Sequence, residues 1–211
     1  MPTLQTMLLF ALAGVALIAI PGPNMFYILL RGASQGTRAG VASALGVETG
    51  TLVHIFAASV GVSAIIAASS IAFDVVKYAG AAYLVYLGIR TLVSGPESLE
   101  AGAAAPLSLR RLYTSGILVN VLNPKVALFF LALLPQFVDP RRGPAGLQMV
   151  VLGLILLVIG ICFDLIYAVS AGALGGVLAR RPKIMQRQKY VTGPLYIGLG
   201  AVAALTGSRS H

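Results

Sequence analysis

Charge is what this chain has least of. Only 10% of its 211 residues are Asp, Glu, Lys or Arg, against about 25% in an ordinary soluble domain. With 58% hydrophobic residues and a mean hydropathy of +0.91, a water-soluble fold is excluded. Cysteine is almost missing too. Cys162 stands alone inside an apolar run and cannot close an intrachain disulfide, so a disulfide-carrying redox protein is excluded. With His54 it makes too thin a set of soft ligands for a metal site. No serine stands in a Gly-x-Ser-x-Gly context, and His54 has no evident nucleophile partner, which argues against an intramembrane enzyme. Ten-residue segments of alternating polarity are lacking, against an outer-membrane barrel. Finally, no Lys or Arg precedes the first apolar run, so that run reads as a retained helix rather than a signal peptide.

What the chain does have is apolar runs near residues 4–30, 39–68, 72–93, 112–138, 146–178 and 190–206. Each approaches or exceeds the roughly 20 residues that cross a bilayer as a helix. The expectation is an all-α integral membrane protein with six transmembrane helices. Its net charge of +9 suits membrane orientation better than nucleic acid. With the N-terminus outside, the inner loops hold Arg31, Arg38, Arg90, Arg110, Arg111, Arg180, Arg181, Lys183, Arg187 and Lys189. The outer segments hold Lys77, Arg141, Arg142 and Arg209. The excess of basic residues inside predicts both termini on the outer face, and the loop "ARRPKIMQRQK" also suits anionic lipid headgroups.

The stretch "SGPESLEAGAAAPLSLRR" reads as a linker over 94–111, between a three-helix unit at 1–93 and another at 112–211. The halves echo one another. "AIPGPNMFYIL" aligns with "NVLNPKVALFF", so that Pro23 matches Pro124 and Asn24 matches Lys125. Because three is odd, two copies of such a unit enter the membrane from opposite sides, giving two inverted three-helix repeats. Secondary transporters use this arrangement, with broken helices around a site at the midplane. Pro21, Pro23 and Pro124 withhold donors from the carbonyls of Leu17, Ala19 and Asn120. Those carbonyls are expected to be available to a ligand, and the following half-helix to offer amides to a carboxylate.

"PGPNMFYILLRGASQGTRAGVASALGVETGTLVH" and "NVLNPKVALFFLALLPQF" resemble the signatures of the LysE/RhtB family of amino-acid exporters, and the likeness covers essentially the whole chain. The resemblance implies export of an amino acid or close derivative from the bacterial cytoplasm across the inner membrane, driven by the proton motive force. It implies antiport with a proton and no other cofactor. Glu48 departs from the pattern, where a small or apolar residue is expected.

Candidate substrate-binding or coupling residues are Pro21, Gly22, Pro23, Asn24, His54, Asn120, Asn123, Pro124, Lys125 and Asp164. Lys125 costs about 2.5–3.5 kcal/mol in hydrocarbon, so it should face the interior with a partner, either a substrate carboxylate or an acid. Asp164 has three readings: ligand for a substrate ammonium, carrier of the coupling proton, or counter-ion to Lys125. Gly46, Gly50 and His54 share a small helix face suited to close packing, and His54 leans to packing over proton shuttling. Glu48 sits about 120–160° around the helix from Gly50 and His54. It is left to a partner subunit, a neighbouring helix or the inner surface. The alternatives to an amino-acid exporter are a passive channel or an exporter of another small solute such as a metal ion. Aquaporin-like channels also pair two Asn-Pro motifs, but on extra re-entrant half-helices for which no apolar segment remains here. Beyond a small-molecule substrate and lipid, the sequence leaves self-association open.

Overall fold

The computed structural model describes residues 1–62 and 106–178 together with isolated positions between 75 and 93 and between 194 and 201. Among the described residues every regular element is a helix. Helix α1, Leu4–Ala19, is capped by Thr3, whose side chain accepts from the Thr6 amide. It stops where Ile20 turns extended ahead of Pro21, a position at which the α conformation clashes with the proline ring. Gly22 is extended as well, and α2, Pro23–Gln35, begins on a proline, as the first helical turn tolerates. The two helices meet at a bend of 55°.

Gly36 ends α2 at φ 85°, left-handed backbone that favours glycine. Helix α3, Thr37–Ala57, then widens into a π-helical turn at Ala58–Val62. Helix α4, Leu109–Val121, starts on a Ser108 cap. After a break at Leu122 and Asn123, α5 covers Pro124–Leu128 and continues through a π turn and a 3₁₀ turn to Phe137. This second bend is 46°. Helix α6, Ala145–Leu178, has 34 residues. At 1.5 Å per residue it is about 51 Å long, more than the roughly 30 Å hydrocarbon layer.

Two segments, Thr37–Gly61 and Ala145–Gly172, are long and apolar enough to span alone, and each bent pair passes the same test only when its two helices are taken together, as a broken span or a re-entrant loop. The described residues therefore account for up to four of the six expected spans. The expected runs at 72–93 and 190–206 lie largely outside them, as does the loop at 179–189. Two boundaries differ from the expectation. The first run divides at Pro21 and extends to Gln35, and Leu109 to Arg111, assigned to the linker, form the first turn of α4.

Helix α3 lies between α4 and α6, and α2 lies on α6. Glycine makes the α3–α4 contact close. A Cβ at Gly50 would stand 2.7 Å from Asn120 Cβ, and one at Gly116 would stand 2.6 Å from the Ser43 carbonyl. A second layer packs Phe10 and Leu17 of α1 on Phe129, Phe130 and Leu133, and on Met149 and Leu152 of α6. The outward sides of α1 and α6 expose Leu4, Leu8, Leu12, Val158 and Ile166, the side chains that a lipid-facing surface carries. The Met1 amino group donates to the Arg142 carbonyl, so the N-terminus and the turn at Pro140–Arg142 share one end. At the far end of the α1–α2 span, Gln35 accepts from the Leu107 amide at 2.6 Å.

Candidate functional site

The two broken helices meet at their breaks. Asn123 caps α5 through its side-chain oxygen, which accepts from the Lys125 amide at 3.0 Å. Its Nδ2 reaches across to Asn24 Oδ1 at 2.9 Å. One asparagine thus closes its own half-helix and ties it to the start of α2. Two of the carbonyls released by proline, those of Leu17 and Asn120, are not left open. Lys125 Nζ donates to Leu17 O at 3.0 Å and to Ile20 O at 2.6 Å. The Asn120 carbonyl accepts from His54 Nε2 at 3.2 Å. At Leu17 and Asn120, where the sequence suggested bare carbonyls facing a ligand, the chain's own Lys125 and His54 occupy them. The placement of Lys125 follows from charge: the C-terminal end of α1 presents the negative pole of the helix dipole to a buried ammonium. Gly22 makes room for the lysine stem, since a Cβ there would stand 3.3 Å from Nζ.

Beside the breaks lies a cavity of about 490 Å³, open mouth included, bounded by Asn24, Met25, Glu48, Thr51, Asn120, Lys125, Asp164, Tyr167 and the apolar Leu17, Ile18, Val126 and Leu156. Its wall is mainly apolar with a few polar groups, as in small-molecule sites. Lys125, Glu48 and Asp164 are all buried, at 7%, 8% and 5% exposure. Among the described residues the one ion pair closer than 4.0 Å is Arg142 with Asp139. Lys125 therefore makes no contact ion pair with Asp164, and the two charges act on each other across the cavity. It spends two of its three N–H donors on α1 and keeps the third. The cavity holds a positive pole and a negative pole apart.

Glu48 forms the negative pole with Asp164, their carboxyl groups within hydrogen-bonding reach of each other. It was not among the expected site residues. The small face through Gly46 and Gly50 packs on α4 as expected, but α3 is buried on a second side as well, where Glu48 and Ile55 face α6. Glycine marks both contacts: a Cβ at Gly160 would collide with the Glu48 carboxyl, and one at Gly153 with Ile55. The neighbouring helix is thus the destination of Glu48. The signal available in sequence was Gly160 four residues before Asp164, one helical turn that leaves a gap for a side chain next to an acid.

Asn120 joins the two sides of α3. Its Nδ2 donates to Val47 O at 2.7 Å and to Thr51 Oγ1 at 2.9 Å, and since a carbonyl can only accept, the amide orientation is fixed. Thr51 in turn lines the cavity beside Glu48. Of the other expected residues, Pro21, Gly22, Pro23 and Pro124 shape the breaks without lining the cavity, and Pro23 and Pro124 are exposed. His54 lies outside the cavity wall and stacks on Phe130 at 5.6 Å.

The chain is 33% identical over 197 residues to an uncharacterized membrane protein of Vibrio cholerae serotype O1, covering 93% of this chain and 95% of that one. It is 33% identical to the homoserine/homoserine lactone efflux protein of Salmonella typhimurium, with 92% and 94% covered. With the leucine efflux protein of Klebsiella pneumoniae identity is 30%, with 92% of each covered. No solved structure matches. The LysE type translocator family matches residues 15–207. A buried site between broken membrane helices and a family match along nearly the whole chain lead to one conclusion: this protein belongs to the LysE type translocators and is a membrane transporter, not an enzyme.

Proposed function

We propose that this protein exports a zwitterionic amino acid or close derivative from the cytoplasm across the bacterial inner membrane, as a proton-driven antiporter working by alternating access. The observation that carries the reading is the separation of charge in the cavity. Lys125 stands on one side and Glu48 with Asp164 on the other, without direct pairing. A zwitterion with a carboxylate and an ammonium a few ångströms apart is the small solute whose own dipole fits such a site. Relatives named for efflux of leucine and of homoserine support it. The two broken spans, with breaks at Pro21–Gly22 and Leu122–Asn123, agree with inverted three-helix repeats at 1–93 and 112–211 joined by an inner linker over 94–111. The half-helix pairs would then tilt as units about the Asn24–Asn123 contact.

The test is export from cells loaded with amino acids as dipeptides. Overexpression should raise the appearance of leucine, homoserine or another neutral amino acid outside, with saturation and with loss on adding an uncoupler. Release no faster than from vector controls overturns the reading. Unsaturable release indifferent to the uncoupler would return the channel alternative.

A further inference from the structure

The cavity is short of donors. Glu48 Oε2 is buried without a hydrogen-bond partner, and so is Asn120 Oδ1, on side chains 8% and 1% exposed. Both residues line the cavity beside Asp164. Buried acceptors are nearly always satisfied, and two carboxyl groups in contact lack a donor between them unless one carries a proton. The buried charges also fail to balance, with two acids for one lysine. One added proton makes the cluster neutral, and burying a net charge is costly. The same three acceptors, Glu48 Oε2, Asn120 Oδ1 and the Asp164 carboxyl, match the three N–H bonds of a primary ammonium.

We propose that Glu48 and Asp164 hold a single proton between them in the empty carrier, and that the substrate's ammonium displaces it and takes its place against the pair and Asn120. Proton and amine then occupy one site in turn, which is the coupling step of antiport. The proton leaves the carboxyl for cavity water, no covalent bond to the substrate forms, and the ammonium retains its own proton. With a zwitterion bound the cluster carries one net negative charge, so an inside-negative potential favours its outward opening, and the reprotonated, neutral cluster returns. The other groups facing the pair are the Lys125 ammonium, the Tyr167 hydroxyl and the Thr51 hydroxyl, while α2 brings only Asn24 and Met25 to the wall. His54 contacts the Asn120 carbonyl outside that wall. The inference rests on the export reading and assigns its coupling site to residues, one of which, Glu48, was not among the site residues expected from the sequence. It also makes the amine the group recognised, ahead of the carboxylate, which finds one remaining Lys125 donor.

The experiment uses the full chain in liposomes with an entrapped pH dye, and leucine and homoserine as probes. The parent should move protons against each probe. Glu48→Gln leaves one acid for one lysine and no site for a shared proton. It should slow leucine–leucine exchange, since Glu48 is part of the amine site, and the leucine that still crosses should move no protons with it. Glu48→Gln moving protons at the parental ratio overturns the proposal. A second measurement on the parent needs no variant: leucinamide, which keeps the amine, should drive proton movement, and N-acetyl-leucine should not. Proton movement driven equally by N-acetyl-leucine also overturns it. A failure of the export reading looks different, because the parent would then transport neither leucine nor homoserine.

Discussion

Lys125 concentrates more consequence than any other side chain described, because it serves a helix end and a cavity at once. Replacing it by Met keeps the apolar stem and removes the ammonium, leaving the Leu17 and Ile20 carbonyls without their donor. Each unsatisfied buried acceptor costs about 1–3 kcal/mol. Lys125→Met should lower the thermal unfolding midpoint in detergent and abolish export in the dipeptide-loaded cells. A variant of parental stability and export rate would remove Lys125 from the site. Gly160→Ala tests the opposite pole. The added methyl meets the Glu48 carboxyl, the far end of a flexible side chain, so the fold should survive while the acid pair separates. Export should fall at least severalfold, and the protein should still elute as a single species. At this scale Lys125 was legible, since a lysine directly after a helix-breaking proline in an apolar run has few explanations. Glu48 was not, because it points away from the glycine face through Gly46 and Gly50, towards a second packed side of α3.

The element scale shows why proline positions alone do not define a transporter site. Pro21 and Pro124 specify where the two spans break, but not what fills the gap. The asparagines do that, one capping and bridging, the other receiving the bridge. Loss of an Asn cap costs about 1 kcal/mol, and loss of a neutral buried hydrogen bond a similar amount. Asn123→Ala forfeits both and should destabilise more than Asn24→Ala, which forfeits only the bridge. In a double-mutant cycle the pair should couple by about 0.5–1.5 kcal/mol in the stability of the detergent-solubilised protein. Strict additivity would mean that the two half-helices are not joined there. The echo of "GPN" and "NPK" made the breaks visible in the sequence. The 3₁₀ turn at Leu134–Phe137 does carry a residue signal, Pro135 in its first turn, whereas the π turn at Phe129–Leu133 has none that the sequence displays.

At the scale of the whole molecule, the question is which end faces which compartment. The apolar runs were readable because length against bilayer thickness is a strong constraint: two of them are single spanning helices, and two more are accounted for where each bent pair is one span. Sidedness rests on the weaker constraint of loop charge. Arg141 and Arg142 oppose it, since they fall among the expected outer segments. The structure adds a relation independent of charge: the Met1 amino group bonds the Arg142 carbonyl, so those two basic residues and the N-terminus must share a compartment. At the other end of the α1–α2 span, Gln35 meets Leu107, beside the start of α4. With Cys162 replaced by Ser, single cysteines at Pro2 and at Arg141 should both react with a membrane-impermeant maleimide added to intact cells freed of their outer membrane. A cysteine at Ser108 should react only after the cells are opened. Labelling of all three in the reverse sense would keep the helix packing and turn the molecule over. It would make Arg141 and Arg142 part of the inner charge, and the substrate would then meet the cavity from the other face. Labelling of Pro2→Cys and Arg141→Cys from opposite sides is a separate outcome. It would break the contact that joins the N-terminus to the second broken span, and with it the reading of α1–α2 as one span crossing the bilayer once.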